Sequence, residues 1–393
     1  MQTLTDDLDP VAFHRDTVPD LLARHAAIAG HAARGLPPLV LRIGDGVWTH
    51  RVVDGRLHVE AGADPDGIDV RVQPAAWSDY VADLLTVPGL LLTQSVEVAP
   101  EHTLTLSHWD RGLRALYSGI PAYDPDAVTL TDANGNPVDP GRSFSLDDDD
   151  AAIAAHLATV GFVRVRAVFT PDEVADLNAE VDDLVASARE DDDRTWWSDQ
   201  PDGTRVLNRI IYAHERSERV AALTTDPRMV RLGRIHRDDL VIARDRMDGP
   251  SVLIKPAGEL HGLANIPWHQ DCGMGGHSLM CPAVGIGIQL TGADAQQSQF
   301  VGIAGSHGMT AHPLLTEDDL SRMPLVPVDT DPGDVTLHIT DVIHASPPPA
   351  GDGGRRTLYL TAFPADLYDV VGAGESFNDM VRGRNVAPED LAG

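Results

Sequence analysis

Residues 266–278 read IPWHQDCGMGGHS, and the His-Gln-Asp at their centre decides how the rest of the chain is read. The same His-x-Asp spacing recurs at His14/Asp16, His108/Asp110 and His236/Asp238, so spacing alone carries no weight. Context separates the four. On a β-strand, residues i and i+2 point to one face. His269 and Asp271 follow Pro267 and Trp268, precede a glycine-rich turn, and on a strand aim an imidazole and a carboxylate at one point. His14/Asp16 lies near the terminus, His108/Asp110 lies where a strand is expected to pass into a helix, and His236/Asp238 sits in a charged stretch.

Downstream, PGDVTLHITDVIHAS (332–346) brings a further histidine, His344, after an apolar alternating run and before prolines. Around these two motifs the apolar period is two. SVLIKP, AVGIGIQL, FVGIAG, DVTLHIT and RRTLYLTAF alternate and are separated by Gly, Pro and Asp turns, the pattern of a double-sheet jelly roll. Two histidines and one carboxylate on one side of an octahedral ion leave positions open for ligands that must react, as in non-haem iron oxygenases. A structural zinc site closes its shell, usually with thiolates. His338, on the same run as His344, reads as a packing or hydrogen-bonding residue.

Upstream, AAIAAHLATVGFVRVRAVFTPDEVADLNAEVDDLV predicts a helix ending at Gly161, a short strand, and a second helix. Thr170, Pro171 and Glu173 supply a capping box at the start of that helix, and Val174, Leu177, Val181 and Leu184 keep helical spacing. The turn-rich stretch 123–142 places a domain boundary near residue 143. Before it, VWTHRVV and RLHVEAG flank Asp54-Gly55, a hairpin signal, and IDVRVQP alternates again. A helix is expected near Trp77–Leu85, then strands at LLLTQSVEV and HTLTLSHW and a helix at RGLRALYSG. The expected fold class is therefore α+β, mostly β. A double-stranded β-helix (jelly roll) catalytic domain with flanking helices spans 143–393, and a smaller amino-terminal α/β domain spans 1–142.

The 60 acidic against 30 basic side chains give a formal charge of −30, which repels phosphate backbones and anionic lipid; nucleic-acid and membrane-surface partners are not expected. Two cysteines cannot build a disulfide framework, and the first residues lack a cationic segment followed by an apolar one. The expectation is a cytoplasmic protein acting on a small molecule, with the oligomeric state left open.

The WHQD motif, the Gly305-Ser306-His307 turn, the PGDV…IHAS…RR segment and the opening AAHLATVGFVRVRAVFTPDEV together resemble the phytanoyl-CoA dioxygenase family of Fe(II)/2-oxoglutarate oxygenases, over about residues 145–370. That resemblance implies Fe(II), 2-oxoglutarate and O2 as cofactor and co-substrates, and hydroxylation of an unactivated C–H with release of succinate and CO2. It implies His269, Asp271 and His344 as iron ligands. An arginine beyond His344 would anchor the distal carboxylate of 2-oxoglutarate; the family offset and the polar face shared with Thr357 and Tyr359 favour Arg355 over Arg356. Ser346 and Lys255 match positions that support the same co-substrate. Halogenating relatives replace the carboxylate ligand by a small residue, so Asp271 favours hydroxylation, with desaturation, epoxidation and rearrangement open. Candidate substrate contacts are Asn208, Trp268, Met274 and Gln289. The amino-terminal part resembles sterol-carrier lipid-binding domains more diffusely. Two other classes compete: a cupin-like metal-dependent isomerase without 2-oxoglutarate, and a non-catalytic small-molecule or lipid carrier.

Overall fold

The computed structural model describes residues 8–200, 202–256, 266–271, 281–311, 315–349, 351 and 353–365. The chain forms two compact units. The first holds the described residues up to Asp124 and a short segment from Gly308; the second runs over Pro125–Asp271, Cys281–His307 and onward from Glu317. The turn-rich residues 125–142 thus group with the second unit.

The first unit is α/β. Helices α1 (Pro10–Asp16) and α2 (Val18–Ala32) precede strands β1 (Leu39–Ile43), β2 (Gly46–Val53), β3 (Arg56–Ala61) and β4 (Ile68–Val72). Helices α3 (Pro74–Val81) and α4 (Val87–Leu92), strand β5 (Val96–Val98) and helix α5 (Thr103–Ser118) complete it. The sheet order is β3-β2-β1-β4-β5. Asp54 and Gly55 both take positive φ (50° and 75°), the left-handed pair that a two-residue hairpin between β2 and β3 demands. Two strand expectations are corrected. Leu90 and Leu91 of LLLTQSVEV lie in α4, with only Val96–Val98 as strand, and HTLTLSHW is the start of α5. The Thr-Leu alternation imitates a strand, but Leu106, Trp109, Leu113 and Leu116 at spacings of three and four are what the core takes up, while Leu104 stays 49% exposed.

The second unit begins with β6 (Ser143–Ser145), α6 (Asp150–Val160), β7 (Phe162–Arg166) and α7 (Pro171–Ser187). Gly161 closes α6 at φ 94°, where the backbone needs glycine. The capping box of α7 is present: Thr170 Oγ1 accepts from Glu173 N at 3.3 Å, and Glu173 Oε2 accepts from Thr170 N at 2.8 Å. A Thr170→Ala variant is expected to lose about 1 kcal/mol in urea unfolding without change in the slope.

The remaining strands are β8 (Thr195–Asp199), β9 (Arg205–Ile210), β10 (Leu240–Ile242), β11 (Ser251–Lys255), β12 (Ile266–His269), β13 (Val284–Gln289), β14 (Phe300–Ile303), β15 (Leu325–Val328), β16 (Val335–Ile339), β17 (His344–Ser346) and β18 (Arg355–Pro364). They form a large sheet of order β6-β7-β16-β13-β18-β11-β9-β8, with β10 on β18, and a small sheet of order β12-β17-β14-β15. This is the two-sheet jelly roll of a mixed α+β fold. One face of the large sheet is apolar: Val252, Ile286, Ile288, Leu337, Leu358 and Leu360 share a core with Val174, Leu177, Val181 and Leu184 of α7. Alternation gives the opposite face to Lys255, Gln289, His338, Arg355, Thr357 and Tyr359. That polar face meets the small sheet, and the site lies there.

Candidate active site

Strands β12 and β17 place the first group. His269 and His344 are cross-strand partners, with a register irregularity between His269 and Ile266, and their rings lie 4.2 Å apart. Asp271, just past β12, is fixed by its own N–H, which donates to Thr340 O at 2.9 Å. Its Oδ1 is 3.2 Å from His269 Nε2 and 3.7 Å from His344 Nε2. Ligands at neighbouring positions around an ion with bonds of about 2.1 Å lie about 3 Å apart, so this spacing suits one common ion. Among the described residues these three are the set of acids, histidines and cysteines that can hold a metal.

Each ring is oriented by its far nitrogen. His269 Nδ1 meets Pro267 O at 2.8 Å and His344 Nδ1 meets Val342 O at 3.1 Å. A carbonyl only accepts, so Nδ1 carries the proton and the Nε2 lone pair is left for a metal. Burial holds His344 well below the usual imidazole range, and the neighbouring His269 adds to this. For Asp271, burial pushes upward, but the histidines around it, with His338 donating to it, outweigh this and hold the carboxyl well below its usual range. His344 is thus neutral beside an ionised carboxylate, whereas at His269 burial is outweighed by Asp271 and the imidazole is raised above its usual range, so a metal binding there displaces a proton.

His338, on β16, donates from Nε2 to Asp271 Oδ2 at 2.9 Å. The sequence places it on an alternating strand and reads it as a packing or bonding residue; it is the outer partner of the carboxylate.

The second group lies two residues further along β17. Ser346 shares a face with His344, about 6–7 Å away along the strand. Arg355 and Lys255 are cross-strand partners on β18 and β11, each 1% exposed. Arg355 donates from Nε to Thr357 Oγ1 (2.9 Å), from Nη1 to Ser298 O (2.9 Å) and Ser346 Oγ (3.0 Å), and from Nη2 to Tyr359 OH (3.2 Å). Lys255 Nζ donates to Ser298 Oγ (2.7 Å) and Ser346 O (2.6 Å). All these partners are neutral oxygens. Two buried cations sit side by side with no carboxylate against either among the described residues. Among the described residues, one N–H of each is left without an assigned partner. Burial, and then the charge of Arg355, push the Lys255 ammonium down to about 7. Arg356, by contrast, alternates outward and pairs at 2.6 Å with the exposed Asp182.

The structure brings His269, Asp271, His344, Ser346, Lys255 and Arg355 together. Gln289 joins them: fully buried, it accepts from Thr357 Oγ1 at 3.1 Å and so braces the Arg355 contact rather than facing open space. Asn208 is buried at an irregularity in the pairing of β9 with β8, where its Oδ1 accepts from Ser198 Oγ. Trp268 precedes His269 within the irregular part of β12 and is half-buried. Met274 lies outside the described residues. Ser298, which sequence reasoning missed, ties both cations together from a left-handed backbone (φ 67°).

A family model described as phytanoyl-CoA dioxygenase (PhyH) matches residues 157–357, more than half of the chain. The chain belongs to the phytanoyl-CoA dioxygenase family. His269, Asp271 and His344 form a group that could hold the iron of such an enzyme. Among solved structures the chain is similar to EvdMO1 (23% identity, TM-score 0.45, covering 55% of this chain and 50% of that one). It is also similar to AviO1 from Streptomyces viridochromogenes Tue57 (24%, 0.45, 55% and 96%) and EctD from S. alaskensis with bound Fe (22%, 0.47, 61% and 86%). The chain thus spans half the length of EvdMO1. No curated protein matches it. The family match begins at residue 157, beyond the amino-terminal part, and the sterol-carrier resemblance of that part is not borne out. Among the described residues no helix is long and apolar enough to cross a membrane.

Proposed function

We propose that this enzyme hydroxylates an unactivated C–H of a small molecule, with His269, Asp271 and His344 as iron ligands and Arg355, supported by Ser346 and Lys255, as the anchor of 2-oxoglutarate. The observation that carries the reading is the pair of buried cations, with no carboxylate against them among the described residues, gathered on Ser346, two residues along β17 from His344. Such a pair is costly to bury without an anion, and a five-carbon dicarboxylate reaches from one group to the other.

When bound, Fe(II) with 2-oxoglutarate and O2 supplies the oxidation: the co-substrate leaves as succinate and CO2, and one oxygen atom enters the C–H bond. The chain's own residues prepare that chemistry. The Pro267 and Val342 carbonyls fix the two ligand imidazoles; Asp271 supplies negative charge. Arg355 holds the distal carboxylate by a charge-assisted hydrogen bond, the strong kind in a water-poor site. Thr357 and Gln289 keep its guanidinium in place. A cupin-like isomerase that needs no 2-oxoglutarate, or a carrier, would leave Arg355 and Lys255 with no counter-charge among the described residues.

Succinate release over a panel of small molecules tests the reading. Substrate-stimulated succinate with a product heavier by one oxygen supports hydroxylation; stimulated succinate with no oxygen in the product assigns another outcome to the same site.

The Lys255 ammonium adds a pH prediction. With a pKa near 7 in the free site, it is charged below that value, and a bound dianion favours the charged form. Affinity for 2-oxoglutarate is therefore expected to weaken as pH rises from about 6 to about 9, with proton uptake on binding at the upper end. In Lys255→Met the slope should flatten; calorimetry in buffers of different ionisation heat reads the proton count directly.

A further inference from the structure

We infer that His338 is a positioning residue that commits Asp271 to a metal through one oxygen only, and that position 285 is glycine to make room for its ring. The inference rests on the metal site proposed above and adds how its carboxylate is held.

A carboxylate cannot donate, so in the 2.9 Å contact with Asp271 Oδ2 the proton is on His338 Nε2. That contact occupies Oδ2. Oδ1 alone then faces His269 Nε2 and His344 Nε2. A carboxylate free to turn can chelate through both oxygens, which would consume a position that a two-toothed co-substrate and O2 need. His338 blocks that mode with a group rigidly mounted on the large sheet: it is 4% exposed, on β16, with Phe300 at 5.4 Å between ring centroids.

The large sheet is cut to fit this ring. Gly285 is the cross-strand partner of His338. A Cβ at Gly285 would lie 2.3 Å from His338 Cε1 and 2.7 Å from Nε2, inside any real contact. The backbone φ of Gly285 is not in the left-handed region, so space is the reason for glycine there. Alanine at 285 must push the imidazole toward or off the carboxylate.

The test is anaerobic Fe(II) titration of the metal-free full chain, with circular dichroism as a check of folding. His338→Leu is expected to weaken Fe(II) binding about 10–100-fold, the usual effect of losing an outer partner of a metal ligand. In the same variant, saturated with Fe(II) and 2-oxoglutarate, the visible charge-transfer band should shift. His338→Gln, whose amide can donate to Oδ2, should recover most of the affinity. Gly285→Ala should weaken binding in the parent but add nothing in the His338→Leu background, since both act through one contact. Parent-like affinity and band in His338→Leu, glutamine no better than leucine, or a Gly285→Ala effect that persists without His338 would each overturn the inference. If His338→Leu does not fold, His338→Gln and Gly285→Ala decide it. His269→Ala separates the two levels: undiminished Fe(II) binding there removes the metal site itself, whereas loss there with parent-like His338→Leu removes only the role of His338.

Discussion

In an Asp271→Ala variant, Fe(II) is expected to wash out on desalting, turnover to fall to background, and the fold to persist. Asp271 is the sole anion among the three ligands, and without it two imidazoles remain. A loss of at least about a thousandfold in affinity, about 4 kcal/mol, follows from removing a charged ligand from a three-ligand site. The fold survives because the Asp271 side chain is partly exposed and its backbone bond to Thr340 is untouched. A modest cost remains, about 1–3 kcal/mol, from stranding the buried Nε2–H of His338. His269→Ala should match the metal loss without that stability cost, since no buried donor is left behind by it. Iron analysis by mass spectrometry together with thermal melting separates the two effects. Metal retained at the parent stoichiometry in either variant contradicts the assignment.

The second large effect concerns two adjacent arginines. Arg355→Ala is expected to raise the 2-oxoglutarate requirement by about a hundredfold or more, as truncating one partner of a buried charged pair costs about 2–5 kcal/mol. Arg356→Ala should leave that requirement within about twofold. Its partner Asp182 is 64% exposed, and exposed pairs contribute about 0–1 kcal/mol. Titrating 2-oxoglutarate against each variant at saturating iron checks both. A large effect at 356 with none at 355 would mean that the inward and outward faces of β18 are exchanged.

Much of this arrangement could be read from residue patterns, because the features involved are local. Period-two runs locate β11, β13, β14, β16 and β18, and the Thr170–Glu173 box fixes the start of α7. His269/Asp271 stands out for a backbone reason: His14/Asp16 and His108/Asp110 fall in helices, where residues two apart diverge, so their pairs cannot converge on an ion. What stayed hidden depends on which strands become neighbours. His338 looks like one more core position until β16 is laid against β13, where Gly285 vacates the space its ring occupies. Ser298 sits in the polar run QQSQF with nothing to mark that its carbonyl will meet a guanidinium 57 residues away. The α5 region misled because Thr-Leu-Thr-Leu fits both periods over four residues; only the later Trp109 and Leu113 break the tie.

One measurement reaches the centre of the account: anaerobic addition of Fe(II) and 2-oxoglutarate to metal-free protein, followed by visible absorption. Chelation of the co-substrate's keto acid by a protein-held ferrous ion predicts a charge-transfer band that appears only when both are present, saturates at one equivalent of each, and is absent in Asp271→Ala. No band in the parent protein, with both ligands shown by equilibrium dialysis to remain free, would contradict it.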